Sequence, residues 1–250
     1  MLIETARATK PFFVTIPLMG RPNLSASTLK LFLECPRCFW LHLNKRIERP
    51  RGPFPSLPGG IDLVLKTYFD TYRQQGALPP LLDGKLEGRL MTQVLTIGFN
   101  EESLNARLWG KLDDCVVLPD GRHTPLDHKT RASSPESEDY TKKYYQLQMD
   151  VYSLLLERNG YPISRTAYVI YYYPLAGVLH EGFPFGVTIH HVATDPAAAD
   201  GVFRKALKVL PGPLPSSGEA CAFCQWSATV ARVAKPAEPS LIQPTLFDVS

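Results

Sequence analysis

Two Cys-x-x-Cys pairs, Cys35/Cys38 and Cys221/Cys224, stand near opposite ends of a 250-residue chain. A local zinc ribbon brings its pairs much closer in sequence, so no such ribbon is expected. If all four thiolates bind one centre, the two ends of the fold must meet at it. In a reducing compartment such pairs point to metal rather than disulfides. The count is odd: the fifth, Cys115, falls in the apolar run Cys-Val-Val-Leu and reads as a small buried thiol.

The length and a 44% hydrophobic content suit one substantial core. The chain opens Met-Leu-Ile-Glu-Thr-Ala-Arg, without a basic start and apolar run, and contains no stretch of eighteen uninterrupted apolar residues. A soluble, cytoplasmic protein with no membrane partner is therefore expected. A net charge of +3 does not announce a nucleic-acid partner. Two local clusters offer more: Lys45, Arg46, Arg49 and Arg51, and Arg204, Lys205 and Lys208. Either suits phosphates, or simply a solvated surface.

Periodicity orders the elements. A helix opens near Leu24, capped by Ser25 or Ser27, with Pro36 interrupting it inside the first Cys-x-x-Cys. A proline-rich connector, Arg49 to Gly60, follows. Apolar positions Ile61, Val64, Leu65, Tyr68, Phe69 and Tyr72 then mark an amphipathic helix ending near Gly76. Ala106 to Leu118 and Thr124 to Thr130 read as two strands around the turn Pro119-Asp120-Gly121. Tyr140 to Asn159 is helical by period, Thr166 to Tyr173 a buried strand, and Val187 to Val192 another. Asp195 caps a last helix to Leu210. The order implies an α/β fold, a mixed central sheet flanked by helices. Three regions are expected: an N-terminal segment 1–23, a folded domain 24–230, and a flexible proline-rich tail 231–250.

The hairpin gathers the chemistry. Alternation puts Asp127 and Lys129 on one face of their strand, and Lys111 with Asp113 on one face of theirs. A three-residue loop with Gly121 in the left-handed region pairs Asp113 with Asp127. Two carboxylates directly opposite repel, so something must compensate. A magnesium or manganese ion would do so; a raised carboxylate pKa, or a salt bridge to Lys129 or Lys111, are the alternatives.

Gly110-Lys-Leu-Asp113, Leu126-Asp-His-Lys-Thr130 and Gln148-Met-Asp-Val-Tyr152 resemble, in order and spacing, the G-x-x-D, D-x-K-T and Q-x-x-x-Y motifs of RecB-like PD-(D/E)XK nucleases. With the opening helix through Cys-Pro-Arg-Cys-Phe-Trp40, the resemblance spans about Leu24 to Trp226. It implies a restriction-endonuclease-like core with Asp113 and Asp127 as metal ligands and Lys129 as the catalytic lysine. Gln148 and Tyr152 would face substrate or the metal shell. One helical turn separates them, so they share a face, although Tyr152 also fits a plain core position with Tyr144 and Leu155. Relatives commonly carry a Gly-x-x-His ligand in the first helix; Gly59-Gly-Ile-Asp62 puts Asp62 there, as ligand or as a helix-start carboxylate favoured by the dipole.

Several relatives carry an iron-sulfur cluster on one early and three late cysteines. Here the division is two and two, leaving a 4Fe-4S cluster and Zn2+ as the candidate occupants of Cys35, Cys38, Cys221 and Cys224. The tail peptide Gln243-Pro-Thr-Leu-Phe247 resembles those that dock bacterial repair proteins on the sliding clamp, with Leu246 and Phe247 as anchors and Gln243 on the rim. The expected function is metal-dependent DNA cleavage in repair, recombination or defence. The alternative is an inactive, cysteine-stapled DNA-binding or clamp-recruited module.

Overall fold

The computed structural model describes residues 20–234 except 54, 83 and 181. Strand β1 (Asn23–Leu24) leads into helix α1 (Ala26–Glu34), whose capping box is made by Ser25 and Thr28. Helix α2 (Pro36–Lys45) begins at once, with Cys35 as its cap and Pro36 in the first turn, where a missing N–H costs nothing. Helix α3 (Ser56–Gln75) ends on Gly76 in the left-handed conformation, as its sequence implies. Its start lies inside the expected connector, because Pro58 is tolerated in a first turn. Asp62 is thus a full turn and more into the helix, away from the N-terminal dipole.

Two short pairing partners follow, β2 (Arg89–Leu90) and β3 (Thr96–Glu101), then β4 (Ala106–Lys111), β5 (Asp114–Val117) and β6 (His123–Thr130). Helix α4 (Glu138–Arg158), strands β7 (Thr166–Pro174) and β8 (Phe185–Ala193), and helix α5 (Pro196–Val209) lie close to their expected positions. Asp195 caps α5 by accepting from the N–H groups of Ala197 and Ala198. Helix α6 (Ala222–Val233), not foreseen, carries Cys224 in its first turn.

The fold is α/β with a mixed five-stranded sheet ordered β2-β5-β6-β7-β8 and a three-stranded sheet ordered β1-β4-β3. Strands β6 and β7 are parallel, joined by α4, while β5/β6 and β7/β8 are antiparallel. Alternation along β6 and β7 builds two cores. Val169 and Tyr171 join α1, α4 and α5 residues on one face. Leu126, Ile170 and Tyr172 join Phe69 of α3 on the other.

The expected single strand Ala106 to Leu118 is broken. The chain bends at Leu112 and Asp113, so β4 pairs with β3 and β1 while β5 pairs with β6 and β2. Strict alternation between Lys111 and Asp113 ends there, and the two do not share a strand face. Among the described residues, no helix is long and apolar enough to cross a membrane.

Candidate active site

The loop between β5 and β6 closes through Leu118 N–H to Arg122 O at 2.8 Å, and Gly121 adopts φ 84° as the turn demands. This sets the β5/β6 register at Asp114↔Leu126 and Cys115↔Pro125, the register expected for the hairpin. The ladder stops one pair before Asp113 and Asp127. Instead of lying flat against Asp127, Asp113 turns at the bend, and its Oδ2 accepts from the backbone N–H of His128 at 3.3 Å.

Asp127 is fully buried. Gln148 Nε2, one turn before Tyr152 on α4, donates to Asp127 Oδ1 at 2.8 Å and lies 2.9 Å from the Tyr152 hydroxyl. Asp127 Oδ2 forms an ion pair with the Lys129 ammonium but receives no directed hydrogen bond. Burial pushes the Asp127 carboxyl up to about 6; Lys129 opposes the rise and the nearby Asp113 charge adds to it. The Lys129 ammonium also stands 5.0 Å from the Tyr145 ring centre. A fully buried carboxylate paired with Lys129, beside a second, half-buried carboxylate, offers the hard oxygen donors that suit a divalent cation.

Tyr152 is both core and site. Its ring is buried and packs on Gly110, where a β-carbon would stand 3.3 Å from Tyr152 Cε1 and 2.9 Å from Leu155 Cδ1. Glycine in the first motif therefore lets α4 approach β4 closely. Desolvation raises the Tyr152 phenol far above its ordinary range, so it stays neutral and hydrogen-bonding.

Asp62 lies on a stripe of α3 with Lys66, Phe69 and Arg73. Its carboxylate is occupied by Lys66 at 2.5 Å. The Lys66 ammonium is held above its usual range by that bond and, to a lesser extent, by the charge of Asp113. Asp62 therefore meets the site through Lys66. Among the described residues, Asp62, Asp113 and Asp127 do not form a set of three carboxylates close enough to share one ion; only the four cysteines form such a group.

The other face of the hairpin holds a network that the motifs did not reveal. His128 Nε2 lies 3.1 Å from Asp114 Oδ2, and His128 Nδ1 lies 2.9 Å from the Tyr172 hydroxyl. Arg73 forms a buried ion pair with Asp114 and donates to the Met91 carbonyl at 3.0 Å. Phe69 packs edge-on against His128 at 4.5 Å. A buried arginine on the apolar face of α3 was the available signal.

A groove of 340 Å³ leads to Gln148 and Tyr152 between α1, β4 and α4. Trp109 and Tyr144 supply aromatic walls, and Lys30 and Lys111 supply exposed charge. Three residues of the basic clusters expected from sequence are engaged in ion pairs: Arg204 with Asp200 and Glu101, Arg49 with Glu34, and Arg51 with Glu48.

The four paired cysteines converge. Cys35 and Cys224 sulfurs are 3.7 Å apart, and Cys38 lies 3.6 Å from both Cys221 and Cys224. All four sulfurs lie within 4.8 Å of one another, an arrangement able to hold metal. Cys115 is separate, buried in the core, its thiol pushed up to about 12 by burial.

Residues 67–229 match the PD-(D/E)XK nuclease superfamily, and the chain belongs to it. No curated protein matches the chain. Among solved structures, the crystal structure of SSO0001 is similar at 12% identity and a TM-score of 0.43, with 82% of this chain and 84% of that one covered.

Proposed function

We propose that this protein is a RecB-like, magnesium- or manganese-dependent deoxyribonuclease acting in DNA repair, recombination or defence. The observation that carries this reading is the state of Asp127: fully buried, oriented by Gln148, and left with one oxygen that only Lys129 approaches. Asp113 and Asp127 would hold the divalent ion. When bound, such an ion acidifies a water and polarises phosphate oxygens.

The chain's own residues do the rest. Gln148 fixes the Asp127 carboxylate in one rotamer and couples it to the Tyr152 hydroxyl. The Lys129 ammonium orients the attacking water and offsets charge growing on the phosphate oxygens. Lys66 adds positive charge on the Asp113 side, with Asp62 holding it in place. The groove suits one strand, its bases on Trp109 and Tyr144 and its phosphates on Lys30 and Lys111. Four reduced thiols suit a cytoplasmic setting. Gln243, Leu246 and Phe247, outside the described residues, would recruit the protein to a sliding clamp.

Asp127→Ala tests the reading in a cleavage assay with magnesium or manganese and labelled DNA. Cleavage should fall by roughly 10³-fold while DNA binding persists. Retained cleavage, or equal activity in excess chelator, would sink it; cleavage of RNA alone would move the substrate class.

A further inference from the structure

The closeness of the four sulfurs says what they surround. Three sulfur pairs are separated by 3.6, 3.6 and 3.7 Å, and none of the six exceeds 4.8 Å. One tetrahedral ion with metal–sulfur bonds of about 2.3 Å sets its ligands about 3.8 Å apart. A four-iron cubane puts each thiolate on a different iron and spreads the sulfurs to roughly 6 Å. We propose that Cys35, Cys38, Cys221 and Cys224 bind a single zinc ion, with Arg49 as its charge-compensating partner.

Local structure prepares both pairs in the same way. Cys35 caps α2 and Cys38 lies in its first turn; Cys221 caps α6 and Cys224 lies in its first turn. Each pair therefore presents its sulfurs at a helix N-terminus, where backbone N–H groups favour thiolate over thiol. The Cys35 sulfur accepts from the N–H of Cys38 at 3.5 Å and of Gly218 at 3.2 Å. A β-carbon on Gly218 would stand 2.2 Å from the Glu34 carbonyl oxygen, so only glycine brings that N–H so near.

Four thiolates around one divalent cation leave a net charge of about −2, and binding releases the thiol protons. Arg49 opposes that charge. Its Nη2 lies 3.6 Å from Cys221 Sγ, Nη1 lies 2.7 Å from Glu34 Oε2, and its guanidinium stacks 5.0 Å from the Phe223 ring centre. A cubane with four thiolates needs the same compensation, so charge does not separate the two occupants; the sulfur spacing does. Among single ions, zinc binds such sites more tightly than ferrous iron.

The site joins the ends of the fold where they already touch. Trp40 Nε1 donates to the Gly212 carbonyl at 3.0 Å, Asn44 Nδ2 to Leu210 at 2.9 Å, and Arg37 Nε to Pro215 at 3.0 Å. Zinc then locks α6 onto α2, independent of whether the protein cuts nucleic acid.

Elemental analysis of the full chain, purified anaerobically without chelator, tests this directly. The expected result is one zinc per chain, no acid-labile sulfide and no colour. Exchange with cobalt should give the intense visible absorption of a tetrahedral four-sulfur site. Iron with sulfide at about four each per chain overturns the proposal, as does a single iron without sulfide, or a metal-free protein whose four thiols all alkylate freely. Because Cys38→Ser puts folding itself at risk, Arg49→Gln supplies the second measurement. Its zinc affinity, read by competition with a chromophoric chelator, should fall about tenfold with the circular dichroism spectrum unchanged. Unaltered affinity removes Arg49 from the site.

Discussion

His128 and Asp114 lie 3.1 Å apart, each next in the chain to a carboxylate of the candidate metal site. A carboxylate only accepts, so His128 Nε2 donates to Asp114, and Nδ1 shares a hydrogen bond with the Tyr172 hydroxyl at 2.9 Å. Both ring nitrogens are engaged beneath the sheet, which ties β6 to β5 and β7 next to Asp127 and Lys129.

His128→Phe keeps the aromatic contact with Phe69 and removes both hydrogen bonds. Cleavage at saturating DNA should drop about 10–100-fold, with DNA affinity little changed. Asp114→Asn leaves the buried Arg73 with only the exposed Asp70 as counter-charge and should cost about 3 kcal/mol in urea denaturation. Equal losses in binding and turnover for His128→Phe would contradict a positioning role.

The raised pKa of Asp127 makes a prediction for the metal-free protein. Its folded value, about 6, exceeds the unfolded value near about 3.9, so the folded state holds the proton more tightly. That contribution to stability is fully present below about pH 4 and lost as pH rises through about 6. In chelator, Asp127→Asn should therefore melt higher than the wild type at pH 7.5, with the gap closing as pH falls toward 4.5. Adding magnesium or manganese should raise the melting temperature of the wild type alone. A constant gap across that range would exclude this linkage.

Trp109 lines the groove that leads to Gln148 and Tyr152. Trp109→Ala should weaken binding of a labelled single strand by about 1–3 kcal/mol per stacked base, measured by fluorescence anisotropy, while Trp109→Phe retains most of it. Binding of duplex DNA that exceeds single-strand binding in the wild type would argue against the one-strand reading.

Truncation after residue 234 removes the peptide carrying Gln243, Leu246 and Phe247. Cleavage of naked DNA should be unchanged, and co-elution with a bacterial sliding clamp should be lost. Clamp binding that survives the truncation would assign it elsewhere.

Much of the site was legible because it is written in short-range rules. Alternation placed Asp127 beside Lys129, helical spacing placed Gln148 beside Tyr152, and Pro119-Asp120-Gly121 set the hairpin register. The break at Leu112 and Asp113 was not legible, since the residues from Ala106 to Leu118 read as one continuous strand. Only competition for partners, β3 and β1 for one half and β6 and β2 for the other, divides them. Asp62 stands deeper in its helix than expected for a related reason: the helix starts earlier than the prolines and glycines suggested, and the charge it meets, Lys66, lies one turn along.

By itself, then, the amino-acid order determined that Asp127 shares a strand face with Lys129, that Gln148 shares a helix face with Tyr152, and which register the hairpin takes, because those depend on periodicity and turns a few residues long. Tertiary structure alone decided how far apart four sulfurs from the two ends stand. It also decided that His128, between two motif residues, would be tied to Asp114 and Tyr172. Those are distances between elements remote in sequence, set by how whole layers pack, and no local pattern encodes them.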